Sequence, residues 1–297
     1  MKFPVSILIL CVAVLPLSAA GVDDTPTTAN IIITDYFHRE IRLNGPAMNI
    51  VSLSPGITET VFALGYGDRL IGRTSFCDEP PEAMSVPEVG SLTEPNVEII
   101  AALDPDIVIA STHFPEEALK KLENAGLNIA VLMGQESFQG AYDGVIRPVS
   151  TLLGDPEAGE RLVSDMEATF LRARETAMNR TEKPRTYYVV GFGDGGDWTA
   201  GGDTFISEMI HMAGGENIAS DVKGWSYSLE ALVDNDPDIV LVPSWALDIF
   251  PSTPIYSELR AVRNGHVFAI DENAIVRQGP RLAEGYENLV NIIGSVD

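Results

Sequence analysis

The stretch EIIAALDPDIVIA at residues 98–110 recurs as EALVDNDPDIVLV at 230–242, 132 residues further along the chain. The two copies share Glu98/Glu230, Asp104/Asp236, Pro105/Pro237, Asp106/Asp238, Ile107/Ile239 and Val108/Val240. Each reads as a short helix, a turn containing proline, and a β-branched strand apolar at consecutive positions. A strand with no polar face suits a parallel sheet covered on both sides. Two similar α/β units are expected, each a Rossmann-like lobe around a central parallel sheet.

Between the copies lies DPEAGERLVSDMEATFLRARETAMNR at 155–180. Leu162, Met166, Phe170, Ala173 and Ala177 fall at three- and four-residue spacing, with charges on the other faces, so one long amphipathic helix is expected. About 24 residues at about 1.5 Å each would run for about 36 Å, enough to back both lobes. Pro184 ends that helix, and TYYVVGF at 186–192 opens the second lobe with a strand. The expected organisation is an N-terminal lobe at 31–154, a linker helix at 155–182 and a C-terminal lobe at 183–297, with a ligand cleft between the lobes. A single helical connection favours modest closure over large hinge rotation, although hinges of a few loop residues remain an alternative.

Upstream, IIITDYFHREIRL at 31–43 predicts a hairpin. NIVSLSP at 49–55 predicts a strand ending at Pro55-Gly56, and a helical pattern opens at Thr58 and closes at Gly65. Residues 1–20 read as a signal peptide: Lys2, an apolar run from Phe3 to Leu17, then Ser18 and Ala20 at the positions a signal peptidase requires. The mature chain would begin near Gly21 with a flexible, Thr-rich leader at 21–30. An uncleaved anchor is the alternative, since the run from Phe3 to Ala20 approaches the lower limit of about 17 residues for a spanning helix. Cys11 invites a lipoprotein reading, but Leu10 before it is bulkier than a lipid-attachment site prefers. The expected location is outside the cytoplasm, in a periplasm or on the outer face of the cell membrane. Only Cys77 would remain after cleavage, so stability must come from the core without an internal disulfide.

Composition narrows the partners. With 43 acidic against 19 basic residues and a net charge of −24, the surface lacks the clustered positive charge that nucleic acid needs. A basic partner or a neutral solute fits better. The 45% hydrophobic content excludes a disordered polyelectrolyte. No G-x-S-x-G elbow, Walker loop, H-E-x-x-H or Cys/His cluster is present, so no enzyme and no metal centre is expected. GFGDGG at 191–196 matches G-x-G-x-x-G, and an exported α/β enzyme or a nucleotide site at this turn is the alternative reading. Six residues, DWTAGG, intervene before any helix, and Asp194 and Asp197 would repel a pyrophosphate.

Open α/β sheets bind ligands beyond the carboxyl ends of their strands. Phe76, Phe114, Trp198, Trp225, Tyr227 and Trp245 all fall in post-strand or irregular segments, which suits a flat, bulky organic ligand. His113 follows the strand at 106–110, and Arg277 and Arg281 offer charge to a ligand carboxylate, with surface solubility an equal reading for Arg281. Asn96 and Ser228 read as N-caps, which puts Glu98 and Glu230 in first helical turns where they complement the helix dipole. The functional reading of this pair is a two-pronged docking surface for arginines of a membrane partner.

In order and spacing, ITDYFHREIRL, NIVSLSPGITETVFALGYGDRLIG, CDEPPEA, VPEVGSLTEPNVEIIAALDPDIVIA, WTAGGDTFISEMIHMAGGENIA and YSLEALVDNDPDIVLV resemble the substrate-binding proteins of ABC importers for iron chelates and cobalamin, from about Ile32 to the C-terminus. The resemblance implies two lobes joined by a rigid helix, a ligand in the cleft, and docking on an ABC permease with its ATPase subunits through Glu98 and Glu230. It implies a monomer that captures a metal chelate and performs no chemistry. It also assigns Phe76, Trp198, Trp225 and Arg277 to the cleft. Leu92 and Ser111 stand where cobalamin-binding members carry tryptophans, and Asn49 replaces an arginine common before the first strand. A corrinoid such as cobalamin is expected ahead of a ferric siderophore or haem, with His113 or Tyr227 the iron ligand if haem were bound.

Overall fold

A computed structural model describes residues 30–112, 114–132, 136–193 and 195–296. The signal peptide, almost all of the leader, His113 and Asp194 lie outside the described residues. The N-terminal lobe opens with the expected hairpin, β1 (Ile31–Thr34) against β2 (Glu40–Leu43). It continues through β3 (Ile50–Ser52), α1 (Pro55–Ala63), β4 (Leu70–Arg73), α2 (Val97–Ala102), β5 (Ile107–Ser111), α3 (Glu116–Asn124) and β6 (Ile129–Leu132). A short α4 (Phe138–Ala141) then passes through a π-helical turn into α5 (Arg147–Leu152). The linker is α6 (Pro156–Met178), 23 residues capped by Asp155, whose Oδ1 accepts from the Ala158 amide at 3.0 Å. It ends four residues before the expected boundary. Past its end, Arg180 donates to the Val290 carbonyl at 2.7 Å, anchoring the chain as it turns into the second lobe.

The C-terminal lobe contains β7 (Arg185–Tyr188), β8 (Asp197–Trp198), α7 (Phe205–Met212), β9 (Glu216–Asn217), β10 (Ser226–Tyr227), α8 (Leu229–Asn235), β11 (Ile239–Pro243), α9 (Arg260–Arg263), β12 (Val267–Ile270), α10 (Glu272–Val276) and α11 (Leu282–Ile293). Its parallel sheet runs β9-β7-β11-β12, and that of the first lobe runs β4-β3-β5-β6. Both sheets place their strands in the order second, first, third, fourth. The repeat in the sequence is thus a repeat in topology.

The repeated Asp-Pro-Asp has a common mechanical role. Asp104 and Asp236 both take left-handed backbone, φ 49° and 40°, which a short polar residue tolerates better than a branched one. The second aspartate clamps the start of the neighbouring strand. Asp106 Oδ2 accepts from the Met48 and Asn49 amides at 2.8 Å, and Asp238 Oδ2 accepts from the Arg185 amide at 2.8 Å. In β5, Ile107 and Ile109 face one core cluster while Val108 and Ala110 face another. The same division holds in β11, with Ile239 and Leu241 on one side and Val240 and Val242 on the other. That two-sided burial explains the consecutive apolar residues read from the sequence.

One core cluster crosses the lobe boundary. It joins Ala141, Tyr142 and Ile146 of the first lobe to Val163, Met166, Ala173 and Ala177 of the linker and to Tyr286 and Leu289 of the second. Phe138, partly buried, packs against it, with ring centroids 4.3 Å from Phe170, 5.9 Å from Phe205 and 5.7 Å from Tyr286. These three partners lie on the linker and on two elements of the other lobe, so Phe138 is a hydrophobic rivet between lobes. Phe138→Ala is expected to cost about 3 kcal/mol and to divide one cooperative urea transition into two, read by circular dichroism and tryptophan fluorescence.

The glycine-rich turn does not lead into a helix. β8 follows it, and α7 begins only after its cap at Thr204, whose Oγ1 accepts from the Ser207 amide at 3.2 Å. No helix N-terminus stands behind the glycines to receive a pyrophosphate, so the nucleotide alternative is not supported.

Candidate functional site

Segments that follow the carboxyl ends of β3, β4 and β5 in the first lobe and of β12 in the second line a cavity of about 380 Å³. Leu53, Ser54 and Pro55 reach it directly from β3. Ser111 and Phe114 reach it from the end of β5, and Phe76 from the loop after β4. Leu92 and Thr93 close one side, while the second lobe contributes Asn273, Val276 and Arg277 from α10 and its end. The surface is mixed: aromatic and aliphatic walls with hydroxyl groups and one carboxamide.

Lobe contact limits how open this cleft is. A Cβ on Gly56 would stand 2.0 Å from the Arg277 carbonyl oxygen, so only glycine permits α1 to meet the 277–279 segment this closely. Beside that contact, Glu59 of α1 is 4% exposed and faces two cations of the other lobe. Arg277 Nη1 donates to Glu59 Oε1 at 3.0 Å, and Arg281 donates from Nε to Oε2 at 2.9 Å and from Nη2 to Oε1 at 3.1 Å. Outer carboxylates complete the network: Asp78 at 2.7 Å from Arg277 and Asp271 at 2.6 Å from Arg281. Gln278, at φ 50°, accepts from the Ser137 amide through Oε1 at 3.1 Å, adding another bond between lobes.

These contacts revise two expectations. The Arg277 guanidinium lines the cavity, yet its charge is already matched by Glu59 and Asp78; it is not a free partner for a ligand carboxylate. Arg281 lies outside the lining of this cavity and is not a free surface charge, because it is bound to Glu59 and Asp271. Burial works against the charge of Asp78, but the hydrogen bond and charge of Arg277 hold its carboxyl below the usual carboxylate range.

The aromatic candidates divide into three groups. Phe76 and Phe114 line the cavity. Trp198, Trp225 and Trp245 are exposed by 46%, 42% and 56% and lie outside its lining, beyond the carboxyl ends of β7 and β11. Trp198 is held by the β8–β10 pairing, opposite Ser226, and Trp245 stacks on Phe192 with an interplanar angle of 3°. Tyr227 is a correction. It is buried among Tyr187, Val189 and Leu232, and its hydroxyl donates to the Ile218 carbonyl at 3.1 Å and accepts from Asn235 at 3.0 Å. It is a core residue with no free oxygen for iron. His113 lies outside the described residues.

Tyr256 fixes the approach to Trp198. Its hydroxyl donates to Asp197 at 2.7 Å and accepts from the Gly193 amide at 3.1 Å. Burial, then the Asp197 bond and charge, push the Tyr256 hydroxyl up to about 12, so it stays protonated and bridging. Burial likewise raises Asp197, against the opposing bond from Tyr256.

Sequence reading missed Leu53, Ser54, Thr93, Asn273 and Glu59. The first four are post-strand positions that the strand-end rule covers, but none is aromatic. Glu59 had a signal of its own, a lone carboxylate inside the apolar helix TETVFAL. Glu98 and Glu230 lie in the first turns of α2 and α8, where the N-caps Asn96 and Ser228 accept from the Ile99 and Ala231 amides, and both glutamates are exposed, with no ion pair among the described residues. No group of three or more metal-ligating residues occurs among the described residues, and no helix among them is long and apolar enough to cross a membrane.

Two matching α/β lobes, a shared core behind them and a cavity at their strand ends define a two-lobed solute-binding protein. The chain belongs to the periplasmic binding protein family, whose model matches residues 50–274. An ABC transporter substrate-binding lipoprotein of Bacillus subtilis, YvrC, is 30% identical over 269 residues, covering 89% of this chain and 85% of that protein. A cobalamin-binding protein of Halobacterium salinarum is 30% identical over 275 residues, covering 86% and 72%. The solved periplasmic heme-binding protein RhuT of Roseiflexus sp. RS-1 superposes with a TM-score of 0.76 at 29% identity, covering 84% of this chain and 99% of that one. The chain is thus an exported substrate-binding protein of the ABC-transporter type, and the enzyme alternative has no support.

Glu59→Gln is expected to leave two poorly exposed guanidinium groups without a full counter-charge and to cost about 3 kcal/mol, measured by urea unfolding at neutral pH. The Asp78–Arg277 pair sets the direction of pH dependence. A carboxylate depressed in the folded state adds stability that is present above its unfolded value, about 4, and is lost as pH falls through the lower folded value. Asp78→Asn should therefore flatten the fall in melting temperature at acid pH; a curve parallel to that of the unaltered protein contradicts this role.

Proposed function

We propose that this chain captures a corrinoid, with cobalamin the first choice, between its lobes and delivers it as a monomer to an ABC permease driven by its ATPase subunits. The observation that carries the choice of ligand is the chemistry of the cavity. Ser54, Thr93, Ser111 and Asn273 offer uncharged donors and acceptors, and Arg277, the one cation among the described lining residues, is already paired. A corrinoid is edged by neutral carboxamides, which such groups match. Haem and carboxylate siderophores bring anionic groups that would need an uncommitted cation or displacement of Asp78, at the cost of breaking a partly buried pair. The name of the Halobacterium relative supports the same reading.

Glu98 and Glu230 are the proposed docking prongs. They begin equivalent helices of the two lobes, and both are exposed, with no ion pair among the described residues. A partner that contacts both senses the relative position of the lobes, and long-range attraction in an acidic protein favours a basic docking face.

Calorimetric and absorbance titration of the purified chain should give saturable one-to-one binding of cyanocobalamin, with haemin weaker by about tenfold or more. Tighter binding of haemin, with a shifted Soret band, would replace the corrinoid with haem. In reconstituted transport, Glu98→Ala combined with Glu230→Ala should leave cobalamin affinity unchanged while uptake falls; undiminished uptake removes these residues from docking.

A further inference from the structure

A second cavity, of about 530 Å³, opens at the lobe junction, lined by Glu59 and Arg281 where the ligand cavity is lined by Arg277. The two have no described lining residue in common. Three parts of the chain build it: α1 and the turn at 79–82 from the first lobe, α6 from the linker, and residues 280–284, where α11 begins, from the second. No strand among the described residues lines it, so it is not the strand-end site that open α/β sheets supply.

Its wall is apolar and its charge is one-sided. Phe62, Pro80, Leu162, Met166 and Pro280 supply the wall; Met166 is buried and the other four are half-buried. Gly67 leaves room for the Phe62 ring, since a Cβ there would stand 2.3 Å from it. Glu79, Glu82, Asp165 and Glu284 line the same space from both lobes and the linker, with no ion pair among the described residues. With Glu59, the described lining holds five carboxylates against one guanidinium, that of Arg281, which is already bound to Glu59 and Asp271. From outside the lining, Arg172 donates to Thr169 Oγ1 at 3.0 Å, one further cation that does not reverse the balance.

We propose that this junction groove is a second binding site, for an amphiphilic organic cation. Its ammonium group would sit among the four unpaired carboxylates, and its alkyl or aromatic body would lie against Phe62, Leu162 and Met166. The volume falls within the range of about 300–1,000 Å³ that holds small molecules, which favours such a ligand over a folded partner. Charge selects its sign, because carboxylates around an apolar recess attract a cation and repel an anion of the same shape. The chain's own leader is a poor occupant: residues 21–30 carry Asp23 and Asp24 and no Lys or Arg. A ligand here touches both lobes and the linker at once, so its binding favours the arrangement in which they meet. The site is independent of the corrinoid reading, since the two linings are separate.

The test compares octyltrimethylammonium with octyl sulfate, which share a chain length and differ in charge, by calorimetry below the concentrations at which they form micelles. The unaltered protein should bind the cation saturably and one-to-one, at least about tenfold more tightly than the anion. Asp165→Asn combined with Glu284→Gln, both exposed positions, and separately Thr169→Trp, which fills the groove, should each weaken the cation by about tenfold. Glu117→Gln combined with Asp234→Asn removes the same charge from exposed positions outside the groove and should change the cation affinity by no more than about twofold. Melting curves of the free variants report that each has folded. No saturable binding of the cation, comparable binding of the anion, or a cation affinity that the groove variants change no more than the control pair overturns the site.

Discussion

Two parallel sheets can share a ligand only if something fixes the distance between their carboxyl ends. Here the shared core and the Glu59 network do so together, on opposite sides of one problem. Phe138, Phe170 and Tyr286 pack around the linker without charge, while Glu59 receives Arg277 and Arg281 where the lobes touch. The apolar part supplies cohesion, since large aromatic rings bury much surface at little entropic cost. A buried ion network adds little net stability against an apolar replacement, but it tolerates few geometries and so specifies one arrangement of the lobes. The cavity dimensions follow from that arrangement.

The Asp-Pro-Asp repeat shows how local chemistry serves the same end. A left-handed aspartate followed by proline turns each short helix abruptly into its strand, and the next aspartate caps the first amides of the neighbouring strand. The consequence is a fixed starting point for the neighbouring strand in each sheet. In the first lobe the loops leaving the strands line the cavity; in the second, the corresponding loops after β7 and β11 carry Trp198 and Trp245 as an outer aromatic edge.

Much of this fold was legible in the chain. Consecutive β-branched residues announced two-sided burial, the offset repeat announced a second lobe, and the spacing from Leu162 to Ala177 announced the linker within a few residues of its end. The site was less legible, for a physical reason: whether a post-strand side chain faces solvent, cleft or core depends on neighbours distant in sequence. Tyr227 lies in an irregular stretch after Trp225, but Ile218 and Asn235 satisfy its hydroxyl and Tyr187 covers its ring. Arg277 could be read as a cation after the last strand, while its partner Glu59, 218 residues away, was invisible. The family resemblance pointed to a ligand site between two lobes; it did not reveal that the lobes are bolted together beside it by Glu59, Arg277 and Arg281.

Rigid spacing of the lobes is the claim on which the cavity and the ligand choice both depend. The most direct measurement places spin labels at Met84→Cys and Ile249→Cys, exposed positions on separate lobes, with Cys77 too buried to react. Electron–electron resonance distances should form one narrow distribution that moves by no more than about 2 Å when cyanocobalamin is added. A broad distribution in the free protein that collapses on binding would contradict this account, because the cleft would then be formed by the ligand and not by Glu59 and the shared core.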